Sequence, residues 1–373
     1  MSRPRVRDDV ALMAGYHSPQ VDVRVRLNTN EAPEPPPAAF VESLRTALDG
    51  VAWHRYPDRA ATVLRARIAE VESEAVARVA AEDAGAPSRF LAPNVFAANG
   101  SNEVLQSLCL AYGGAGRTVA TFEPTYALHA HIARVCGSAV VPGRRHEDFT
   151  LDLDEVDRVL EAHRPTVTFL CSPNNPTGRL EDEATVRAVL RRVESIDGLL
   201  VVDEAYGQFS PWSALSLVDE DRSVVVTRTY SKTWSAAALR LGYLIGPTWV
   251  VEELEKVVLP YHLDELTQLA GVLALDHLDD MERRVAHLVE ERGRVSAALD
   301  ELPVQQWPSA ANFILFRPLT RDGDEVWQDL LDRSVLVRNC SSWPGLDGCL
   351  RVTLGTRDED DEFLAALTSS LST

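Results

Sequence analysis

Short apolar runs that end in polar residues recur along the middle of this 373-residue chain, and amphipathic stretches separate them. The runs are VFAANG (95–100), RTVATFEP (117–124), TVTFLCSP (166–173), GLLVVDEAY (198–206), SVVVTRTYS (223–231) and RLGYLIG (240–246). Helical spacing falls between several of them, over 102–113, 152–163 and 181–195. Strands that alternate with helices build a mostly parallel sheet with helices on both faces. The expectation is therefore an α/β fold. Ligands of such sheets sit beyond the carboxyl ends of the strands, so those ends are where chemistry is sought.

The flanking regions read differently. Residues 1–37 form an arm, since NTNEAPEPPP carries too many prolines for an interior helix or a central strand. A helix is predicted over 38–48, a loop at WHRYPD (53–58), and an Ala-, Arg- and Glu-rich helical stretch over 60–86. Residues 265–301 read as one long helical stretch. The tail, with ANFILFR, VLVRNC, LRVTLG and then DEDDEFLAALTSSL, reads as a smaller α+β domain. The predicted division is an arm and part of the small domain over 1–50, a large domain over 51–262 and the small domain over 263–373.

Charge excludes more than it selects. With 37 basic and 56 acidic residues the net charge is −19. A diffuse acidic excess argues against nucleic acid and against an anionic membrane surface as partners. It leaves room for an anionic substrate, because local arginines set a pocket. No apolar run approaches the ~18 residues of a membrane span. The start, MSRPRVRDDVALMAG, lacks the apolar core of a signal peptide, so a cytoplasmic protein is expected. Cys109, Cys136, Cys171, Cys340 and Cys349 are scattered without a CxxC, so neither a disulfide framework nor a metal site is expected.

One residue type is nearly missing. Lys232 and Lys256 are the two lysines, against 35 arginines. Lys256 lies in the charged helical string EELEKVV and reads as a solvated surface charge. Lys232 follows a buried-strand pattern directly. An amine can lose its proton and form a Schiff base with an aldehyde, whereas guanidinium stays protonated. Around it, Thr229, Ser231 and Arg240 offer two hydroxyls and a guanidinium, the makings of a phosphate-plus-aldehyde site.

Other strand ends add to this. NGSNE (99–103) places Ser101 and Asn102 where a helix begins, either a plain N-cap or an anion site. CSPNNPTG (171–178) is more specific than an ordinary turn requires, and its Asn side chains offer directed hydrogen bonds. Asp203 ends the run LLVVD. A carboxylate there is costly unless it meets a cation or donor. It reads as a helix cap, a structural ion pair, or the group that keeps a pyridinium nitrogen protonated. Tyr206, three residues on, lies within reach of a ring hydroxyl.

Together these strings resemble the fold-type I pyridoxal-phosphate aminotransferases, and within them the histidinol-phosphate aminotransferase family. The resemblance runs through LNTNEAPEPPP, RYPD, NGSNE, EPTY, SPNNPTG, VVDEAY, the SK pair with Arg240 eight residues on, LRLGY, PYHL, ANFILF and the ending VLVRNCSSWPGLDGCLRVTLGT. It implies that Lys232 bonds to the cofactor aldehyde as a Schiff base and later carries the substrate proton. Asp203 would pair with the pyridine nitrogen, Asn175 and Tyr206 with the ring oxygen, and Tyr126 would stack on the ring. Ser101, Asn102, Thr229, Ser231 and Arg240 would bind the cofactor phosphate. Tyr56 would reach the phosphate in a second subunit, making a homodimer. Arg351 would take the carboxylate of glutamate, and Arg338 and Tyr16 would join it on the phosphate of imidazole-acetol phosphate, with Asn30 also on the substrate side.

The chain departs from the family pattern in places. It has Asn30-Glu31-Ala32-Pro33 where NENP is usual, Trp234 where Phe or a small residue is usual, and Gly15 rather than Pro before Tyr16; its 70–95 stretch is long. These departures lie toward the substrate end, so three other readings stand beside the first. One is an aminotransferase for an aromatic or specialised metabolite, another a decarboxylase of the threonine-phosphate type. The third, a pyridoxal-phosphate-binding regulator, needs a DNA-binding domain for which the arm is too short.

Overall fold

A computed structural model describes residues 4–11, 13, 15, 21–80 and 88–372. Tyr16 lies outside the described residues. The arm carries α1 (Asp8–Ala11) and β1 (Val25–Leu27), followed by α2 (Ala38–Leu48) and α3 (Thr62–Ala80). The alternating region then runs β2 (Val95–Ala98), α4 (Ser101–Tyr112), β3 (Thr118–Glu123), α5 (Ala127–Val135), β4 (Ala139–Arg144), α6 (Leu153–His163), β5 (Val167–Cys171), α7 (Glu183–Glu194), β6 (Leu199–Asp203), β7 (Val224–Thr229), α8 (Tyr230–Thr233) and β8 (Gly242–Ile245). After α9 (Thr248–Val257), α10 (Glu265–Leu275) and α11 (Leu278–Asp300) come β9 (Val304–Gln306), β10 (Phe313–Pro318), α12 (Gly323–Asp332), β11 (Val335–Asn339), β12 (Leu350–Thr353) and α13 (Arg357–Leu371).

Seven strands form one sheet in the order β2-β8-β7-β6-β5-β3-β4. β4, β3, β5, β6 and β7 pair in parallel, and β8 runs antiparallel to both β7 and β2. Successive strand residues point to opposite faces, and each face has its own core. Val119, Val167, Phe169, Leu199, Val201 and Val225 pack with α4 and α9. Ala120, Phe122, Leu170, Leu200, Val202 and Val224 pack with α3, α6 and α7. Sheet and helices thus take the α/β arrangement expected from the alternation. Where helices start, side chains satisfy the free N–H groups: Asp152 caps α6, Asp182 caps α7, and Thr356 with Glu359 forms a capping box on α13.

A second sheet, in the order β1-β11-β12-β10-β9, collects the tail and the arm. β1 pairs in parallel with β11, so the proline-rich arm begins as an edge strand of the smaller sheet.

Three local expectations need correction. The 265–301 stretch is two helices, because His277 leaves helical geometry (φ −112°, ψ 34°). The break has a packing cause. α10 buries Ala270, Ala274 and Leu275 in the larger core, whereas α11 starts there with Met281 and ends among Leu288, Val295 and Leu299 in the smaller one. α2 also packs its Phe40 in the larger core rather than against the small sheet. Finally, β4 was not expected as a strand. It contains Pro142 and Gly143, which an edge position tolerates, and a Cβ on Gly143 would strike the Phe122 ring at 2.6 Å.

Candidate active site

The ends of β5, β6 and β7 and the start of α4 open on one side of the larger sheet, against the smaller sheet. Between them lies a cavity of about 430 Å³. Its lining includes Asn30, Ser101, Asn102, Tyr126, Asn175, Asp203, Tyr206, Thr229, Ser231, Lys232, Arg240, Arg338 and Arg351. Residues that the sequence scatters over more than 300 positions are thus brought together. Tyr56 is the exception among those described. It is 79% exposed, stacked on Tyr261 at 4.5 Å, and does not line the cavity.

Lys232 sits in α8, whose N-cap Thr229 accepts from the Ser231 N–H. Nζ donates to the Thr29 carbonyl at 3.1 Å. Burial, followed by the charge of Arg351 and then Arg240, lowers its pKa from 10.5 to about 8, against the pull of Glu31. That leaves about a tenth of the amine neutral at pH 7, against well under a thousandth for an ordinary lysine, and the neutral form is the one that attacks. The other lysine, Lys256, pairs with Glu253 on the surface.

Asp203 closes β6 with 1% of its surface exposed. One oxygen accepts from the Ala205 N–H at 3.1 Å and the Thr227 hydroxyl at 3.2 Å, and the other lies 2.8 Å from His129 Nε2. His129 is fully buried, stacked flat on Phe169 at 4.6 Å and edge-on to Tyr126 at 5.3 Å. Sequence reasoning missed His129. The available signal was its place three residues after Tyr126, one turn along α5.

The anion-binding side is built from backbone. Gly100 (φ +80°) precedes α4 and no side chain caps that helix, leaving the N–H groups of its first turn aimed outward. Arg240 packs so closely here that a Cβ on Gly100 would lie 2.7 Å from its guanidinium. Gly242 lets β8 pass the same turn, since its Cβ would lie 2.2 Å from the Ser101 nitrogen. The Thr229 and Ser231 hydroxyls are 3.0 Å apart, and Arg240 reaches Ser231 at 3.5 Å. Two hydroxyls, helix N–H groups and a guanidinium converging on one spot match a phosphate.

The opposite wall carries two arginines. Arg351, 4% exposed, donates to Asn175 Oδ1 and to the Asn28 carbonyl at 3.1 Å, and lies 5.0 Å over the Phe313 ring. Arg338 stands beside it on β11. Asn30 donates to the Tyr206 hydroxyl at 2.8 Å and accepts from Thr353 at 2.9 Å. Burial pushes the Tyr206 hydroxyl up to about 12, partly offset by Arg351 and Asn30, so it stays protonated. Tyr126 donates to Asn102 at 3.2 Å.

An amine, a floor carboxylate, a phosphate cradle and anion-binding arginines define a site for covalent amino-group chemistry. The class I and II aminotransferase pattern matches residues 23–367, so the protein is an aminotransferase of that class. Within it the chain belongs to the histidinol-phosphate aminotransferase family. It is 41% identical over 365 residues to the histidinol-phosphate aminotransferase of Mycobacterium sp. (strain JLS), covering 97% of this chain and 92% of the relative. To that of Frankia casuarinae it is 42% identical, with 98% and 90% covered. Among solved structures, the histidinol-phosphate aminotransferase of Sinorhizobium meliloti in complex with pyridoxal-5'-phosphate superposes with a TM-score of 0.83 at 20% identity, covering 100% of this chain and 98% of that one. The aspartate aminotransferase of Thermotoga maritima gives 0.80 at 22% identity, with 94% and 92% covered. These two likenesses concern the fold. Among the described residues no helix is long and apolar enough to cross a membrane.

Proposed function

We propose that the protein uses pyridoxal 5'-phosphate to interconvert imidazole-acetol phosphate plus L-glutamate with L-histidinol phosphate plus 2-oxoglutarate, in histidine biosynthesis. The observation that carries this reading is an amine held at about 8 in a cavity that has a phosphate cradle at one end and paired arginines on the opposite wall. The cofactor, when bound, supplies an aldehyde and a ring that draws electrons from the bond being broken. Ser101, Asn102, Thr229, Ser231 and Arg240 would hold its phosphate, Asp203 its ring nitrogen, and Asn175 and Tyr206 its ring oxygen.

The remaining steps belong to this chain's own residues. Lys232 Nζ takes the proton from the substrate Cα and returns it elsewhere. His129 orients Asp203 and keeps that carboxylate from turning. Arg351 holds the glutamate carboxylate, and Arg338 joins it on the phosphate of the second substrate. Walls formed by Tyr126 and Tyr206 exclude water from the amine.

The same reading makes the protein a cytoplasmic homodimer in which Tyr56 serves the other subunit's cofactor. In support, Tyr56, Trp53 and Leu259 are all strongly exposed in the single chain. Sedimentation should give twice 41.1 kDa. The activity test is direct: purified protein with imidazole-acetol phosphate and L-glutamate should yield 2-oxoglutarate and histidinol phosphate in equal amounts. Turnover of aromatic amino acids alone, or release of carbon dioxide, would overturn the substrate assignment.

A further inference from the structure

We propose that Asn174 is a positioning residue that locks together the two loops against which the cofactor ring would rest. The inference rests on the cofactor placement proposed above. Tyr126, which would lie on the ring face, follows β3, and Asn175, which would meet the ring oxygen, follows β5. Both line the active-site cavity. β3 and β5 are neighbours in the larger sheet. Their ladder pairs Val119 with Val167 and Ala120 with Thr168, yet the strands continue to Glu123 and Cys171. Strand register therefore does not reach the loops that carry Tyr126 and Asn175.

Asn174 supplies the missing tie. It is fully buried, and Thr125 and Thr177 are buried beside it. Its Nδ2 donates to the Pro124 carbonyl at 3.0 Å and to the Thr177 hydroxyl at 2.8 Å, and its Oδ1 accepts from the Thr125 hydroxyl at 2.9 Å. A carbonyl only accepts, so the amide nitrogen has to face Pro124 and the amide oxygen is left for Thr125. Asp in this place would bring no donor to Pro124, and Leu would make neither bond. Away from water, leaving such a group unpaired is costly, so the link holds its geometry.

The tied residues are the immediate neighbours of the two that would touch the ring. Thr125 precedes Tyr126, the N-cap residue of α5, whose hydroxyl reaches Asn102 at 3.2 Å. Asn174 precedes Asn175, whose Oδ1 accepts from Arg351. A slip of one loop against the other would move the ring-face contact relative to the ring-oxygen contact. The turn itself does not depend on the side chain. Asn174 N–H donates to the Arg179 carbonyl and Gly178 N–H to the Asn174 carbonyl, both at 2.7 Å. Removing the crossing bonds thus leaves the turn closed and frees the loops to shift.

The experiment titrates the full-length cofactor-free chain with pyridoxal 5'-phosphate in wild type, Thr125→Val, Thr125→Ser and Asn174→Ala. It also records the visible circular dichroism of the bound cofactor and the urea midpoint of each protein. Thr125→Val keeps the side-chain shape and removes one crossing bond, so the cofactor Kd should weaken about fivefold and the dichroic band should fall. Asn174→Ala removes both crossing bonds and should weaken the Kd about tenfold, equal to about 1.4 kcal/mol. Thr125→Ser keeps the hydroxyl and should stay within about twofold of wild type. The double variant Thr125→Val with Asn174→Ala should be no weaker than Asn174→Ala alone, since both changes break one link. A Thr125→Val protein with a lower urea midpoint but wild-type Kd and dichroism would show a bond that only holds the fold, and would overturn the assignment. Independent, additive losses, or a Thr125→Ser protein no better than Thr125→Val, would overturn it as well. A wild type that does not bind pyridoxal 5'-phosphate would instead remove the proposed function, and this inference with it.

Discussion

Replacing Lys232 by methionine should make the cofactor-free protein more stable at neutral pH and less stable at high pH. The drop in pKa from 10.5 to about 8 is led by burial, with Arg351 next. It corresponds to about 3 kcal/mol against the protonated amine. Because the folded value lies below the unfolded one, this penalty is full below pH 8, where both states carry the proton. It fades between pH 8 and 10.5 and is absent above. Methionine has a similar length and no charge, but it forfeits the 3.1 Å bond to the Thr29 carbonyl, a loss of about 1 kcal/mol. The net gain is about 2 kcal/mol at pH 6.5, or roughly 2–4 °C in melting temperature. Near pH 10.5 the sign reverses. Differential scanning fluorimetry of both cofactor-free proteins from pH 6.5 to 10.5 measures the difference directly. A variant that melts below wild type at pH 6.5, or a difference that does not change with pH, would refute the account of Lys232 as a desolvated amine beside Arg351.

Three further outcomes follow from particular contacts. Lys232→Arg should abolish both the visible absorption of the loaded enzyme and its turnover, since guanidinium does not form the imine; surviving colour and activity would contradict the central role of Lys232. Gly242→Ala should cost about tenfold or more in cofactor affinity with little change in secondary structure, because its Cβ would lie 2.2 Å from the Ser101 nitrogen and push the phosphate cradle out of shape; a cofactor titration reads this, and unchanged affinity would count against the cradle. Arg228→Met should lower stability by about 3–5 kcal/mol, since it strands Glu72 and Glu204, which Arg228 now pairs at 2.6 and 2.9 Å in the interior; chemical denaturation against wild type checks it, and a neutral result would refute the account of Arg228 as the partner those two carboxylates require.

The fold and the site were legible to different degrees. The alternation of buried strands and amphipathic helices carried the larger sheet, because a strand covered on both faces has to be apolar throughout. β4 escaped notice because an edge strand tolerates Pro142 and Gly143, which read locally as a turn. The 276–277 break in the 265–301 stretch was invisible for another reason. Helical spacing continues across it, and only the need to serve two cores turns α11 away from α10. Within the site, Lys232, Asp203, Asn175 and the Gly100–Asn102 turn were legible as strings at strand ends. His129 was not, because a histidine in the middle of a helix carries no sign of what it faces. Tyr56 was legible in its motif, yet the single chain leaves it at the surface.

Local chemistry is what the sequence by itself determined. The retained Lys232 among arginines, the carboxylate closing LLVVD and the glycines beside the phosphate cradle are properties of short segments, and short-range sterics and residue type decide them. Pairing across the chain is what the tertiary structure alone decided. Asp203 meets His129, Asn30 meets Tyr206, and Arg351 meets Asn175 and stands beside Arg338 only once the two sheets are assembled. Those contacts depend on strand register and on packing between distant segments, which residue identity and spacing along the chain do not encode. They are also what lowers the pKa of the Lys232 amine, since burial and the charge of Arg351 act only when the arm and the smaller sheet close over the strand ends.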